Sequence, residues 1–256
     1  MRLLALDTAT PATVVGVYAG GGAAIERRHD PLPGERPGHV SQVLALAEDA
    51  LAEAGLRWAD LDRIGVGVGP GSFTGLRIGV ATARALGQAT GAPLVAVSTL
   101  GALAEGARLA RNAPVVEAFN PSGGARPVHA VLDARRGEAF AGAWLGVERV
   151  LAPAAVAPEA LAALVEGLPG RVAERSRERG AEPLVGAPLA VGDGAVRFRA
   201  HLEPAGAEVP EDGSPLHRVG ADGLCRLAAD APVVSRDRLA PEYVRAPDAT
   251  PREARR

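Results

Sequence analysis

Apolar residues 3–6 end at Asp7-Thr8-Ala9-Thr10-Pro11 and resume over Thr13–Tyr18, so the chain opens with two short buried strands joined by a polar turn. Gly20-Gly21-Gly22 breaks the second strand, and residues 23–29 read as a third. This is a β-meander, not the strand-then-helix opening of a dinucleotide-binding unit. Val43, Leu44, Leu46, Ala47, Ala50 and Leu51 then recur at helical spacing, which predicts a helix over 39–54 stopped by Gly55. A buried strand over 61–68, a glycine-rich turn at 69–71, a helix over 75–90, a strand over 93–98 and a helix over 99–108 follow. Beyond a Pro/Gly/Ala-rich stretch at 112–127, read as an inserted loop, strands 128–132 and Glu138–Leu145 form a hairpin through Asp133-Ala134-Arg135-Arg136-Gly137.

The pattern continues with a helix over 158–166, a polar arginine-rich stretch at 171–179 and a short strand at Leu189–Val191. Gly192-Asp193-Gly194 then leads into a helix ending near 202, and a last helix spans 216–229. Two stretches that each open on antiparallel strands indicate a duplicated α/β unit. The expected division is an N-terminal lobe 1–108 with a helical dimerisation face and a C-terminal lobe 109–215 carrying the 112–127 insertion. A segment 216–246 packs back towards the first lobe, and 247–256 is a disordered tail.

Composition narrows the chemistry. At 256 residues and 47% hydrophobic, the chain can build two lobes with proper cores. A net charge of −2 argues against a generally basic nucleic-acid binder. The lone Cys225 excludes an intramolecular disulfide and a cysteine-rich zinc site. No apolar run reaches the roughly 20 residues of a membrane span, and the four apolar residues before Asp7 are too few for a signal peptide, so a cytoplasmic location is expected. All 28 basic residues are arginine, which removes a P-loop, Schiff-base or kinase-type lysine from consideration.

The most distinctive stretch is Gly67-Val68-Gly69-Pro70-Gly71-Ser72-Phe73-Thr74-Gly75-Leu76-Arg77-Ile78-Gly79, between a strand and a helix, where backbone N–H groups can hold an anion. It lacks the third glycine of a dinucleotide fingerprint and the lysine of a Walker loop. Gly75, Gly79, Ala83 and Gly87 instead make a smooth stripe that lets another backbone approach, either the protein's own sheet or a partner helix; Arg77 and Arg84 lie on a different face. Ser72 or Thr74 is expected to cap this helix.

With Leu4-Ala5-Leu6-Asp7-Thr8-Ala9, Gly38-His39-Val40, Ala83-Arg84-Ala85-Leu86-Gly87, Asp133-Ala134-Arg135-Arg136-Gly137-Glu138, Gly192-Asp193-Gly194 and Pro241-Glu242-Tyr243-Val244-Arg245, the segment resembles the TsaB (YeaZ) family. That resemblance implies an actin/sugar-kinase/Hsp70-like fold, two α/β lobes each with a mixed sheet flanked by helices. It implies a non-catalytic scaffold or activating subunit for the homologous TsaD, in threonylcarbamoyl transfer to adenosine 37 of tRNAs reading ANN codons. A TsaE ATPase completes the set, the chain pairs with itself when alone, and tRNA is met through the complex. The alternatives are a stand-alone M22-like metallohydrolase or peptidase, and an ATP-binding regulatory subunit with weak ATP/Mg binding.

No catalytic or metal site is expected. The segment where TsaD carries a His-x-x-x-His pair reads Val97-Ser98-Thr99-Leu100-Gly101-Ala102-Leu103-Ala104-Glu105, with Glu105 as its one candidate ligand, and no two of the five histidines stand four apart. Asp7, Thr8, Gly192, Asp193 and Gly194 are candidate remnants of phosphate or nucleotide contacts, although turn-stabilising roles are the favoured reading of them. The expected partner interface comprises His39, Val43, Leu44, Ala47, Leu51, Gly75, Arg77, Gly79, Ala83 and Arg84. On that reading, an arginine at Gly79 breaks the partner contact and leaves the fold intact.

Overall fold

The computed structural model describes residues 1–32, 34–111, 126–178 and 186–245. The expected tail 247–256 and nearly all of the expected 112–127 insertion lie outside the described residues.

The opening meander forms β1 (Leu3–Asp7), β2 (Thr13–Tyr18) and β3 (Ile25–His29), each antiparallel to the next. Helix α1 (His39–Glu53) follows, then β4 (Arg63–Gly69), α2 (Phe73–Thr90), β5 (Leu94–Ser98) and α3 (Thr99–Arg111). β4 lies parallel to β1, and β5 parallel to β4. The second meander is β6 (Val128–Arg135), β7 (Glu138–Leu145) and β8 (Glu148–Val156). Then come α4 (Pro158–Glu178), β9 (Leu189–Val191), α5 (Asp193–Arg197), α6 (Arg199–Leu202), α7 (Ala221–Asp230) and β10 (Val233–Val234).

The sheets run β10-β5-β4-β1-β2-β3 and β8-β7-β6-β9. The second order repeats β3-β2-β1-β4 of the first, with β9 parallel to β6 as β4 is to β1. The duplication is therefore present in three dimensions, as two mixed sheets flanked by helices.

Three apolar clusters order the layers. Leu4, Leu6, Val15, Ile64 and Val66 pack under α1 and α2. The opposite face of the first sheet (Leu3, Ala5, Val14, Val95) shares one core with α3, α7 and the facing side of the second sheet (Val128, Ala130, Leu132, Trp144, Val191). Val131, Ala139, Ala141 and Ala190 meet α4, α5 and α6 on the far side. The result is helices, sheet, helices, sheet, helices, with α3 and α7 between the sheets.

Three elements depart from the sequence pattern. β8 was not expected: Ala-rich, with Pro153, it reads poorly as a strand, but as an edge strand it tolerates the missing N–H. α4 runs on through Gly167 and Pro169, because Leu161, Val165, Leu168 and Val172 keep one face buried. The expected helix over 216–229 is split into a 3-10 turn (Pro215–His217) and α7, with the extended Gly220 between them.

Candidate functional site

The glycine-rich turn is stitched onto the β1–β2 turn. Ser72 Oγ accepts from Gly75 N (3.2 Å) and caps α2, while Ser72 N donates to the Ala9 carbonyl (2.7 Å). Thr8 Oγ1 donates to the Gly75 carbonyl (2.7 Å). A Cβ on Gly75 would stand 1.9 Å from the Thr8 carbonyl oxygen, and one on Gly79 2.5 Å from Thr8 Oγ1. The small-residue stripe of α2 thus packs on the protein's own first sheet. Two amides of the turn, Ser72 N and Gly75 N, are spent on the chain itself.

Asp7 is fully buried; its carboxylate accepts from Thr99 Oγ1 (2.8 Å) and Ala9 N (2.8 Å). Burial pushes its carboxyl up to about 6 despite those bonds. Thr8 is likewise buried, and neither residue lines the cavity described below. In the second lobe, Gly192 (φ 113°) and Gly194 lie where a Cβ would come within 2.0 Å of the Val131 carbonyl oxygen and 2.6 Å of the Leu132 carbonyl carbon. Their absence of side chains is a packing requirement of β6. Asp193 Oδ1 accepts from Asp133 N (3.0 Å), and burial raises its pKa.

Seven of the ten expected interface residues face inward: His39, Val43, Ala47, Leu51, Gly75, Gly79 and Ala83 are buried against their own lobe. His39 Nδ1 shares a hydrogen bond with Thr13 Oγ1 (2.8 Å). As a partner surface these seven are corrected, because the apolar stripe of each helix covers the first sheet. Leu44 (46% exposed), Arg77 and Arg84 reach the surface; Val40 (75%) and Phe73 (43%) join them. An arginine at Gly79 would therefore disrupt the lobe itself.

Glu105 is buried and held by Arg108 through 2.6 and 2.7 Å bonds. Among the described residues, no three His, Cys, Asp or Glu side chains come together as a metal site, and no helix is long and apolar enough to cross a membrane. The arginines of α4 are interleaved with acids: Arg175 pairs with Glu148 and Glu178.

Between the lobes lies a cavity of about 530 Å³. Ala9, Thr10 and Ser72 form one wall and Asp133, Arg135 and Asp193 the other. Asp133, near the end of β6, accepts from Arg197 (2.8 Å). Phe73, Phe140 and residues 242–245 close the mouth. Sequence reading registered Asp133, Arg135, Tyr243 and Arg245 only as motif letters, and the cavity is what brings them together.

A family model described as "TsaD: tRNA N6-adenosine threonylcarbamoyltransferase" matches residues 36–183, more than half of the chain. The chain is 34% identical over 149 residues to the Escherichia coli (strain K12) tRNA threonylcarbamoyladenosine biosynthesis protein TsaB, covering 58% of this chain and 56% of that protein. It spans about half the length of the curated relatives it matches. Two solved Pseudomonas aeruginosa structures superpose over nearly all of it. One, described as YeaZ, gives a TM-score of 0.65 at 28% identity, covering 94% of this chain and 99% of its own. The other, described as an uncharacterized protein with similarity to peptidase YEAZ, gives 0.67 at 27%, covering 95% and 99%.

Proposed function

The chain belongs to the TsaB (YeaZ) family, and from that premise we propose that it is a non-catalytic scaffold subunit in the threonylcarbamoylation of tRNA adenosine 37. Its partner is a TsaD-type transferase, with a TsaE-type ATPase completing the assembly and self-pairing when the partner is absent. Residues 1–108 form the docking lobe, 109–215 the second lobe, and 216–246 the segment that returns to the first.

The observation that carries this reading is the outward face of α1 and α2. Val40 and Leu44 on α1 and Phe73 on α2 are large apolar side chains in the open, and Arg77 lies over the Phe73 ring. Such a patch, rimmed by polar residues, is the composition of an interface core with an arginine anchor. The polar groups with motif matches point the other way: Asp7, Thr8 and Glu105 are buried in bonds within their own lobe. That arrangement supports a structural role over the hydrolase alternative suggested by one neighbour's peptidase label.

The test is deletion of the gene followed by mass spectrometry of tRNA nucleosides. Threonylcarbamoyladenosine should fall sharply and return with the wild-type gene, but not with Val40→Arg/Leu44→Arg. Size-exclusion chromatography should show that variant folded yet no longer co-eluting with the transferase. Undiminished modification after deletion would sink the pathway assignment, and full rescue by the double variant would sink the docking face. Calorimetry with ATP and magnesium, with and without the transferase, separates a nucleotide-binding regulatory subunit from a scaffold.

A further inference from the structure

Residues 242–245 cross the mouth of the interlobe cavity and are fastened on both sides. On the first lobe, Glu242 N donates to the Val68 carbonyl (2.7 Å), which prolongs the end of β4. The Tyr243 ring stacks on Phe73, with centroids 5.2 Å apart and planes 29° from parallel. Arg77 Nε donates to the Tyr243 hydroxyl (3.1 Å), and its guanidinium lies 3.8 Å from the Phe73 ring centre. On the second lobe, Arg245 donates to Glu138 Oε2 (2.7 Å) and to the Ala134 carbonyl (3.3 Å). Val244, between the two anchors, packs on the core shared by both sheets.

Both anchors are placed to open and re-form. The Arg245–Glu138 pair is part-exposed, and the Phe73–Tyr243 stack is open to solvent on one side, with Tyr243 41% exposed. Contacts of this kind are individually weak. Pro37 and Phe73 line the cavity, so α1 and α2 both begin there, and Phe73 and Arg77 belong at once to the strap anchor and to the exposed helical face.

We propose that residues 242–245 form an interlobe strap that couples the outer face of α2 to the width of the cavity. A protein docked over Phe73, Arg77 and Tyr243 holds the strap down and the lobes together; releasing Arg245 from Glu138 loosens both. Only the identity of the docked protein rests on the scaffold reading. The coupling is a property of the free chain.

The test uses the full chain with spin labels on Gln88→Cys and Val147→Cys, one on each lobe, diluted with unlabelled chain. Cys225 is buried and its thiol is pushed up to about 12, so the labels go to the introduced cysteines. Pulsed-dipolar distances should be narrow in the parent. They should broaden and lengthen in Glu138→Arg, and recover in Glu138→Arg/Arg245→Glu. Tyr243→Ala and Arg77→Ala, neither of which touches the second-lobe anchor, should broaden them as well. Melting temperature checks that each variant is folded. Unchanged distances in Glu138→Arg, or in Arg77→Ala, would overturn the strap.

Adding the purified transferase homologue should narrow the distribution. Because coupling is reciprocal, Glu138→Arg should bind it about fivefold more weakly. Equal affinity would overturn the coupling to docking. Failure of the parent to bind the transferase at all would remove the scaffold reading, while the free-chain distances would still decide the strap.

Discussion

Asp7 and His129 are fully buried titratable side chains that respond to acid in opposite senses. His129 has no hydrogen-bond partner for either ring nitrogen among the described residues, and burial alone pushes it down to about 4 from an ordinary 6.5. As pH falls below 6.5 the unfolded side chain takes up a proton that the folded one refuses, so stability drains away down to pH 4, by about 3 kcal/mol in all. Asp7 is raised to about 6 from 3.8, so the folded chain holds a proton that the unfolded chain has lost. Its contribution is complete below 3.8 and fades as pH climbs to 6. Between pH 4 and 6 the two slopes cancel. Chemical denaturation of Asp7→Asn should therefore show stability falling by roughly 1 kcal/mol per pH unit on acidification, and His129→Leu should show the reverse trend. Parallel profiles in both variants would contradict the assignment. Also at this scale, Gly79→Ala should cost about 1–3 kcal/mol in thermal or chemical unfolding, since its new methyl meets the Thr8 hydroxyl.

At the level of elements, helical periodicity located α1 and α2 correctly but said nothing about which face meets the sheet and which meets a partner. The stripe Val43, Ala47, Leu51 and the row Gly75, Gly79, Ala83 are the inner faces, complementary to Leu4, Leu6 and Val66 on the sheet. Burial of these rows satisfies the pattern completely, so nothing in it reports the residues left outside. Leu44 and Val40 are the large apolar α1 residues on the outer side, and Leu44→Arg should leave unfolding within about 0.5 kcal/mol while abolishing self-association in sedimentation experiments. The same limit explains β8 and α4. Pro153 is accommodated because β8 is an edge strand, and Pro169 breaks a local helix rule that burial of one face of α4 overrides. Asp7 and Thr8 were legible as a turn motif, but their enclosure by Thr99 and Gly75, far along the chain, was not. The cavity walls come from six separate stretches of sequence, so only the assembled lobes bring them together.

For the whole molecule, the decisive feature is the layer of α3 and α7 between the two sheets. Gly16 and Gly65 on the first sheet leave room for Ala221 and Ala228 of α7, where a Cβ would come within 2.6 and 2.7 Å. One core thus serves both lobes, which predicts a single cooperative unfolding transition. A chain ending at residue 215 should lose that transition in differential scanning calorimetry, despite retaining all four strands of the second sheet. Two separate transitions in the intact protein would argue against the shared core.

The central position of α7 also has a temporal meaning. A ribosome delivers β1 and β2 long before α7, so Leu3, Ala5 and Val14 wait for the helix that covers them. Until Leu224 and Cys225 emerge from the exit tunnel, that side of the first sheet stays wet. Translation must therefore run through α7 before β1 and β2 can close on that side, and until then the nascent protein presents this apolar face to chaperones.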